Sequence, residues 1–348
     1  MTLSSLQKIC PGLAFALLLA PDCFLPVRAQ AQTVEEFYRG KTLNMIIGYP
    51  VAGANDRYAR TIAHHIGKHI PGNPKVISRN MPGGGSLIAA NHIYTVAPRD
   101  GTVLSLLAAT IPLEEALGTA GARFKSAEFN WIGRMSSSIN IMFTNKNSRV
   151  KTIKDAFTVE AILGGTGRSG TPTVYPSVLN NVLGMKFKVV AGYESSTAAM
   201  LAMERGELDG HSTSLDGVKA AHLDWLTDKK INLLVQFGLQ RHPDLLDVPL
   251  SIDLGRTPEE VQILRVVANA TEVGKMALTP PGVPADRIQA LRRAFDATIK
   301  DPEYIADMNK QRLEITPLTG EEMQKLVAEV RTVPPAILEK VKAIYPLN

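Results

Sequence analysis

The chain has 348 residues, 45% of them hydrophobic, with 38 Lys and Arg against 33 Asp and Glu and a net charge of +5. A charge this small and this interspersed excludes the dense basic patch of a nucleic-acid-binding surface. The two cysteines, Cys10 and Cys23, both fall in the leader described next, so the remaining chain offers no disulfide, thiol nucleophile or thiolate metal site.

Residues 1–31 carry the three parts of a secretory signal peptide: Lys8, an apolar run from Gly12 to Ala20, and Ala29-Gln30-Ala31 as a cleavage site. Cleavage is expected after Ala31. The apolar run is shorter than the ~20 residues a membrane span needs. No twin-arginine pair occurs, and neither cysteine follows the small residues of a lipoprotein anchor. Removing the first 31 of 348 residues takes away Lys8, Arg28 and Asp22, which leaves 317 residues at a net charge of +4. That length suits two domains. No later stretch is long and apolar enough to span a bilayer, so the expectation is a soluble, periplasmic protein.

The first element is the apolar run Thr42–Ile47, the pattern of a buried parallel strand. Gly48–Asp56 breaks it with turn formers, and Asn55 or Asp56 is expected to cap a helix whose core face is Ala59, Ile62, Ala63, Ile66 and Ile70. A strand, a small-residue loop and a helix in that order leave backbone N–H groups at the helix start, a seat for an anion. The device recurs. Lys75–Ser78 runs into Asn80-Met81-Pro82-Gly83-Gly84-Gly85-Ser86 and a helix over Leu87–Tyr94. Three consecutive glycines before a helix permit close backbone approach to a ligand, with Ser86 as a cap or donor. A third strand over Gly101–Leu107 completes a β-α-β-α-β order, hence a parallel sheet with right-handed crossovers.

A crossover to a second domain is expected near residue 138. There Ile141–Phe143 reads as a strand and Val150–Ala156 as the start of a helix. Ala161–Leu163, the loop Gly164–Pro172 and a helix through Leu183 repeat the strand-loop-helix device a third time. Phe187–Val190 then leads through Gly192–Ser196 to a helix over Thr197–Arg205, and Ile231–Phe237 is a further strand. Beyond Gly274–Leu278, helices are expected over Ala285–Lys300, Pro302–Gln311 and Thr319–Val330.

Gly165-Thr166-Gly167-Arg168-Ser169-Gly170 is a literal G-x-G-x-x-G between a strand and a helix, the context of a dinucleotide fingerprint. Glu194 stands where the ribose-binding acid would be, although later than usual. Export and Pro172 at the helix start weigh against a nucleotide, and a small carboxylate is the favoured ligand. An exported nucleotide-binding α/β enzyme using Gly165–Gly170 stays open as the alternative. His65 and His69 have the i, i+4 spacing of a metal pair but fit a solvated helix face better. Asp209, His211, Ser214 and Asp216 show no nucleophile–base order. No catalytic residue, metal or cofactor is assigned.

The loops together are similar to a known family. Gly48–Asp56, Asn80–Gly85, Ala97-Pro98-Arg99-Asp100-Gly101, Gly206-Glu207-Leu208-Asp209 and Leu246-Asp247-Val248-Pro249 occur in that family's order. On them the chain resembles the extracytoplasmic solute receptors of the tripartite tricarboxylate transporter family, also called Bug receptors. The resemblance implies an α/β, two-lobed type II periplasmic-binding-protein fold. Each lobe would be a mostly parallel sheet flanked by helices, and two crossover strands would join them. Lobe 1 would take residues 32–137 and 267–348, and lobe 2 residues 138–266. It implies a monomeric receptor that holds a small carboxylate between the lobes and delivers it to a two-component membrane permease.

Carried onto this sequence, the implied ligand-binding positions are Gly53, Ala54 and Asp56, then Gly84, Gly85 and Ser86, then Thr166, Gly167, Arg168, Ser169, Gly170 and Thr171. Tyr49 and Tyr193 are candidate walls, and Asp209 and Ser214 candidate polar contacts. Val51-Ala52 replaces the family's usual Pro-Gly. Arg168 is the one charged side chain in its loop, and it is expected to pair bidentately with a second carboxylate.

Overall fold

The computed structural model describes residues 32–167, 170–330 and 333–345. The leader 1–31 and the two loop residues Arg168 and Ser169 therefore lie outside the described residues. Among the described residues, eleven strands form two sheets. The first holds β1 (Thr42–Ile47), β2 (Lys75–Asn80), β3 (Val103–Leu106), β4 (Asn130–Ser136), β10 (Lys275–Thr279) and β11 (Leu318–Thr319) in the order β11-β4-β10-β3-β1-β2. The second holds β5 (Asn140–Asn145), β6 (Ala161–Gly164), β7 (Phe187–Val190), β8 (Gly210–Ser214) and β9 (Ile231–Phe237) in the order β7-β6-β8-β5-β9.

Strand β1 pairs in parallel with β2 and β3, as β6 does with β7 and β8. Each sheet also receives an inserted antiparallel strand from beyond a crossover, β10 between β3 and β4 and β5 between β8 and β9, and β11 adds a second at the edge of the first sheet. The two halves thus share one strand order. Two connections pass between the sheets, β4 to β5 through Ser137–Ile139 and the return that ends in β10. The backbone N–H of Ser138 donates to the Thr271 carbonyl oxygen across them at 2.8 Å.

Each sheet buries apolar side chains on both faces, as expected for βαβ architecture. Ala59, Ile62, Ala63 and Ile66 of the helix Ala54–Ile66 join Leu43, Met45 and Ile47 of β1 in one core. Val174, Val178 and Leu179 of the helix Thr171–Leu183 join Leu163 and Phe237 in another. The closing helix Pro335–Ile344 brings Val341, and Tyr345 just beyond it, into this second-sheet core. That differs from the expectation that everything after residue 267 belongs with the first lobe.

Three local differences have clear causes. The helix expected from Val150 is only the short turn Asp155–Phe157. The Asp155 carboxylate accepts from the N–H groups of Lys151 and Thr152 at 3.0 and 2.8 Å and closes a turn instead. Strand β8 is Gly-His-Ser-Thr-Ser, buried throughout, and its polar sequence carries no strand signal. His65 is buried, not solvated: its Nε2 lies 2.8 Å from Asp307 Oδ2, and His69 Nε2 lies 2.8 Å from Asp301 Oδ2. Lys68 also pairs with Asp301 at 2.7 Å, so this face of the helix docks on the C-terminal helix Pro302–Lys310 and its cap.

One charged cluster sits where the sheets meet. Lys275, on β10, is 0% exposed, and its ammonium pairs with Asp216 of the helix Leu215–Ala221. The same ammonium donates to the Ser137 carbonyl oxygen at 2.9 Å, in the crossover. The Tyr58 hydroxyl lies 2.8 Å from the Glu314 carbonyl oxygen and 3.2 Å from the Asp216 carboxylate, and burial, with Asp216 beside it, pushes its pKa up. Lys219 extends the cluster to Glu314 at 2.6 Å. Removing one member of a buried pair strands the other charge. Lys275→Met should therefore lower stability by about 3–5 kcal/mol in urea titration, whereas Lys275→Met with Asp216→Leu should recover much of the loss.

Candidate functional site

A cavity of about 680 Å³ lies between the two sheets at the C-terminal ends of their parallel strands. The three loops expected to act together all open on it. Tyr49, Gly53 and Ala54 come from the first, Gly84, Gly85 and Ser86 from the second, and Thr166, Gly167, Gly170 and Thr171 from the third. The loops meet: a Cβ added at Gly167 would lie 3.5 Å from the Gly85 backbone nitrogen, and one at Gly217 would lie 3.8 Å from Ala54 Cβ.

The helix starts differ in how they are capped. The helices Ala54–Ile66, Leu87–Thr95 and Thr171–Leu183 follow Gly53, Ser86 and Gly170, and none of these three makes a side-chain cap hydrogen bond. By contrast, Ser195 caps Ala198 N–H and Ser214 caps Gly217 N–H in two of the other helices that begin at the cavity. Three helix N-termini therefore turn toward the cavity with positive dipole ends that no side-chain cap offsets. The first helix is capped by Gly53, two residues before Asn55 and three before Asp56.

Asp56 does not line the cavity. Its carboxylate accepts from Ala52 N–H at 3.0 Å, from Arg60 Nε at 2.9 Å and from Asn80 Nδ2 at 2.7 Å. Burial raises its pKa, but these hydrogen bonds outweigh burial and hold it below the usual carboxylate range. Asn80 Nδ2 also donates to the Tyr49 carbonyl oxygen at 2.9 Å, so Asp56 braces the loop that the ligand-facing residues stand on. In that brace Ala52 takes φ 73°, a left-handed conformation that costs any residue with a Cβ and that glycine adopts freely.

The triple glycine has its own reason. Gly83, Gly84, Gly85 and Ser86 take φ of 132°, 56°, 63° and 75° in succession, and Leu87 then returns to the right-handed region. A left-handed residue followed by a right-handed one turns successive N–H groups to one side. Ser86 Oγ donates to the Gly48 carbonyl oxygen at 2.8 Å and ties this loop to the first. A Cβ at Gly48 would lie 2.5 Å from Ser86 Oγ.

Two expected contacts are elsewhere. Asp209 sits at the far end of β8 from Ser214, and its carboxylate accepts from Ile162 N–H at 2.8 Å. Tyr193 packs on the Ala199–Met203 core and is absent from the cavity lining. Ser214 does line the cavity, as the cap of Gly217. Sequence reasoning missed Arg57, Thr110, Asn140, Tyr175 and Ser195–Thr197, all of which line it. Arg57 makes no side-chain pairing among the described residues. Asn140 accepts from Thr171 Oγ1 at 3.3 Å.

His211, behind the third loop, is fully buried, with Nδ1 2.8 Å from the Gly164 carbonyl oxygen. Burial lowers its pKa from 6.5 to about 4, so the ring is neutral and Nδ1–H donates. Below pH 6.5 the unfolded chain binds a proton that the folded chain refuses, and stability falls as pH drops toward 4. Urea titrations at pH 7 and pH 4.5 should show wild type losing roughly 2.5 kcal/mol more than His211→Gln.

No family model and no curated protein matches the chain. Solved structures do. The periplasmic binding protein BugD superposes with a TM-score of 0.68 at 18% identity, covering 88% of this chain and 98% of its own. Rpa4515 of Rhodopseudomonas palustris with adipate gives 0.66 at 18%, covering 88% and 97%. MatC of the same organism with bound malate gives 0.64 at 16%, covering 84% and 98%. The fold is that of the periplasmic binding proteins, two lobes each built on a sheet in which most strands point one way.

Proposed function

We propose that the chain is a periplasmic solute receptor that captures a small organic acid in the cavity between its lobes and delivers it to a two-component membrane permease. The observation that carries this reading is the set of three helix N-termini, from both sheets, that open on one cavity without a side-chain cap. Backbone N–H groups backed by helix dipoles seat a carboxylate without a full positive charge. The solved structures of similar fold with adipate and with malate fit the same ligand class. No helix among the described residues is long and apolar enough to cross a membrane.

In this reading Gly53, Ala54, Gly84, Gly85, Ser86, Gly167, Gly170 and Thr171 surround the carboxylate. Closure of the lobes about the two crossovers shields it, and the closed form is what a permease recognises. No residue is asked to move a proton. The alternative, a nucleotide-using enzyme built on Gly165–Gly170, has no observation in its favour.

Thermal denaturation against mono-, di- and tricarboxylates tests the reading. At a concentration 100-fold above Kd, the right acid should add about 2.7 kcal/mol of stability and raise Tm accordingly. Nicotinamide nucleotides should leave Tm unchanged. A rise with nucleotides and none with acids would reverse the assignment. Arg168, in the third loop, adds a finer expectation: Arg168→Ala should weaken a dicarboxylate by about 1.5–3 kcal/mol in calorimetry and leave a monocarboxylate nearly unchanged.

A further inference from the structure

The cavity holds a second set of polar groups, made of side chains and carrying no charge. Thr110, just past the end of β3, is 1% exposed and lines the cavity. It stands at the start of the helix Ile111–Ala116 but makes no side-chain cap bond there, and its Oγ1 is buried with no hydrogen-bond partner among the described residues. Tyr175 reaches the cavity from the second sheet's side. It is also 1% exposed, and its ring stacks on Phe237 with centroids 4.0 Å apart and planes at 14°.

Tyr49 faces it from the first loop, with its own backbone fixed through Asn80. Neither cavity tyrosine makes a side-chain hydrogen bond among the described residues. The tyrosines buried elsewhere mostly do: Tyr38 donates to the Gly101 carbonyl oxygen, Tyr58 to that of Glu314, and Tyr345 to the Glu114 carboxylate. Tyr304, whose hydroxyl is buried without a partner, is an exception that lies outside the cavity lining.

A desolvated hydroxyl without a partner costs free energy, so Thr110 Oγ1 marks a place where a ligand atom completes it, and the Tyr175 and Tyr49 hydroxyls, unpartnered among the described residues, border the same cavity. Burial raises the pKa of both cavity tyrosines, and the proximity of Tyr49 raises that of Tyr175 further, so both are neutral donors near one another. The same lining includes Pro82, Ala108, Ala109, Pro172 and Met200, which suit a carbon chain.

We propose that Thr110, Tyr175 and Tyr49 form a second, uncharged polar subsite that takes an oxygen acceptor at the far end of the bound acid. The proposal rests on the carboxylate-receptor reading and narrows it to acids that end in a hydroxyl, a carbonyl or a second carboxylate. Plain alkyl acids are disfavoured because they leave the hydroxyls unpaired, and a site built to hydrogen-bond an oxygen rejects the analogue that lacks it.

Calorimetry with two matched series tests this: succinate, 4-hydroxybutyrate and butyrate, then adipate, 6-hydroxyhexanoate and hexanoate. In the series whose length fits, the oxygen-ended acids should bind at least about tenfold more tightly than the alkyl acid. Tyr175→Phe and Thr110→Val should each close that gap by about three- to tenfold, with the alkyl acid unchanged. Both variants remove a hydroxyl that has no protein partner, so the ligand-free Tm should hold or rise. A marked fall in that Tm would show the hydroxyls to be structural and overturn the proposal. Equal weakening of every acid, or no change for any, would also overturn it while leaving the receptor reading intact. Failure of all six acids to bind would overturn both.

Discussion

The arrangement of the whole molecule depends on a buried lysine and aspartate. Lys275 stands on the strand that enters the first sheet, and Asp216 on the helix that leaves the second. Neither charge is tolerable in the interior alone, so each fixes the other, and through them the two halves are held together at the crossovers. The pair is further tied to Ser137 in one crossover and, through Tyr58, to the backbone at Glu314. Replacing such a pair by well-packed apolar side chains is often neutral or stabilising, whereas removing one partner alone is costly. This contact lies close behind Ser138, Ser214 and Gly217, which line the cavity, so its geometry reaches the site directly.

From that junction outward, the site is made of braced backbone. Asp56, Arg60 and Asn80 lock the first loop, and Ser86 bonds the second loop to Gly48. These side chains carry the charge and the strong donors, and they hold the main chain that borders the cavity in place. The left-handed run Gly83–Ser86 and the left-handed Ala52 are strained for their residue types at Ser86 and Ala52, and the bracing is what maintains them.

Much of this was legible in the sequence because it is local. The strand Thr42–Ile47, the stripe Ala59–Ile66 and the three loop motifs each occupy fewer than thirty consecutive residues, and period and turn chemistry read them correctly. What was not legible is what arrives from far away. The buried face of His65 becomes a docking face only because Asp307, distant in sequence, meets it. Strand β8 is polar in sequence yet buried throughout, so neither alternation nor an apolar run announces it. Asp56 looked like a ligand contact because it stands beside the loop glycines, yet Arg60 and Asn80 take its carboxylate. Tyr175 and Thr110 were missed because a single aromatic or hydroxyl carries no spacing, and only the fold brings them to one cavity.

The division of labour between main chain and side chain has a consequence for how such a site distinguishes ligands. Backbone N–H groups at helix starts attract any small anion that fits, and they cannot be exchanged by substitution without remaking the loops. Selectivity must then come from groups that can vary without disturbing the bracing. Arg57, Thr110 and Tyr175 meet that condition: each lines the cavity, and none of their side-chain polar groups is engaged by another described residue. Their neighbours Asn140, Ser195 and Ser214 do not, since each already holds a loop or a helix start in place. A fold that commits its backbone to the carboxylate and its bracing side chains to the loops leaves such unengaged side chains to read the rest of the molecule.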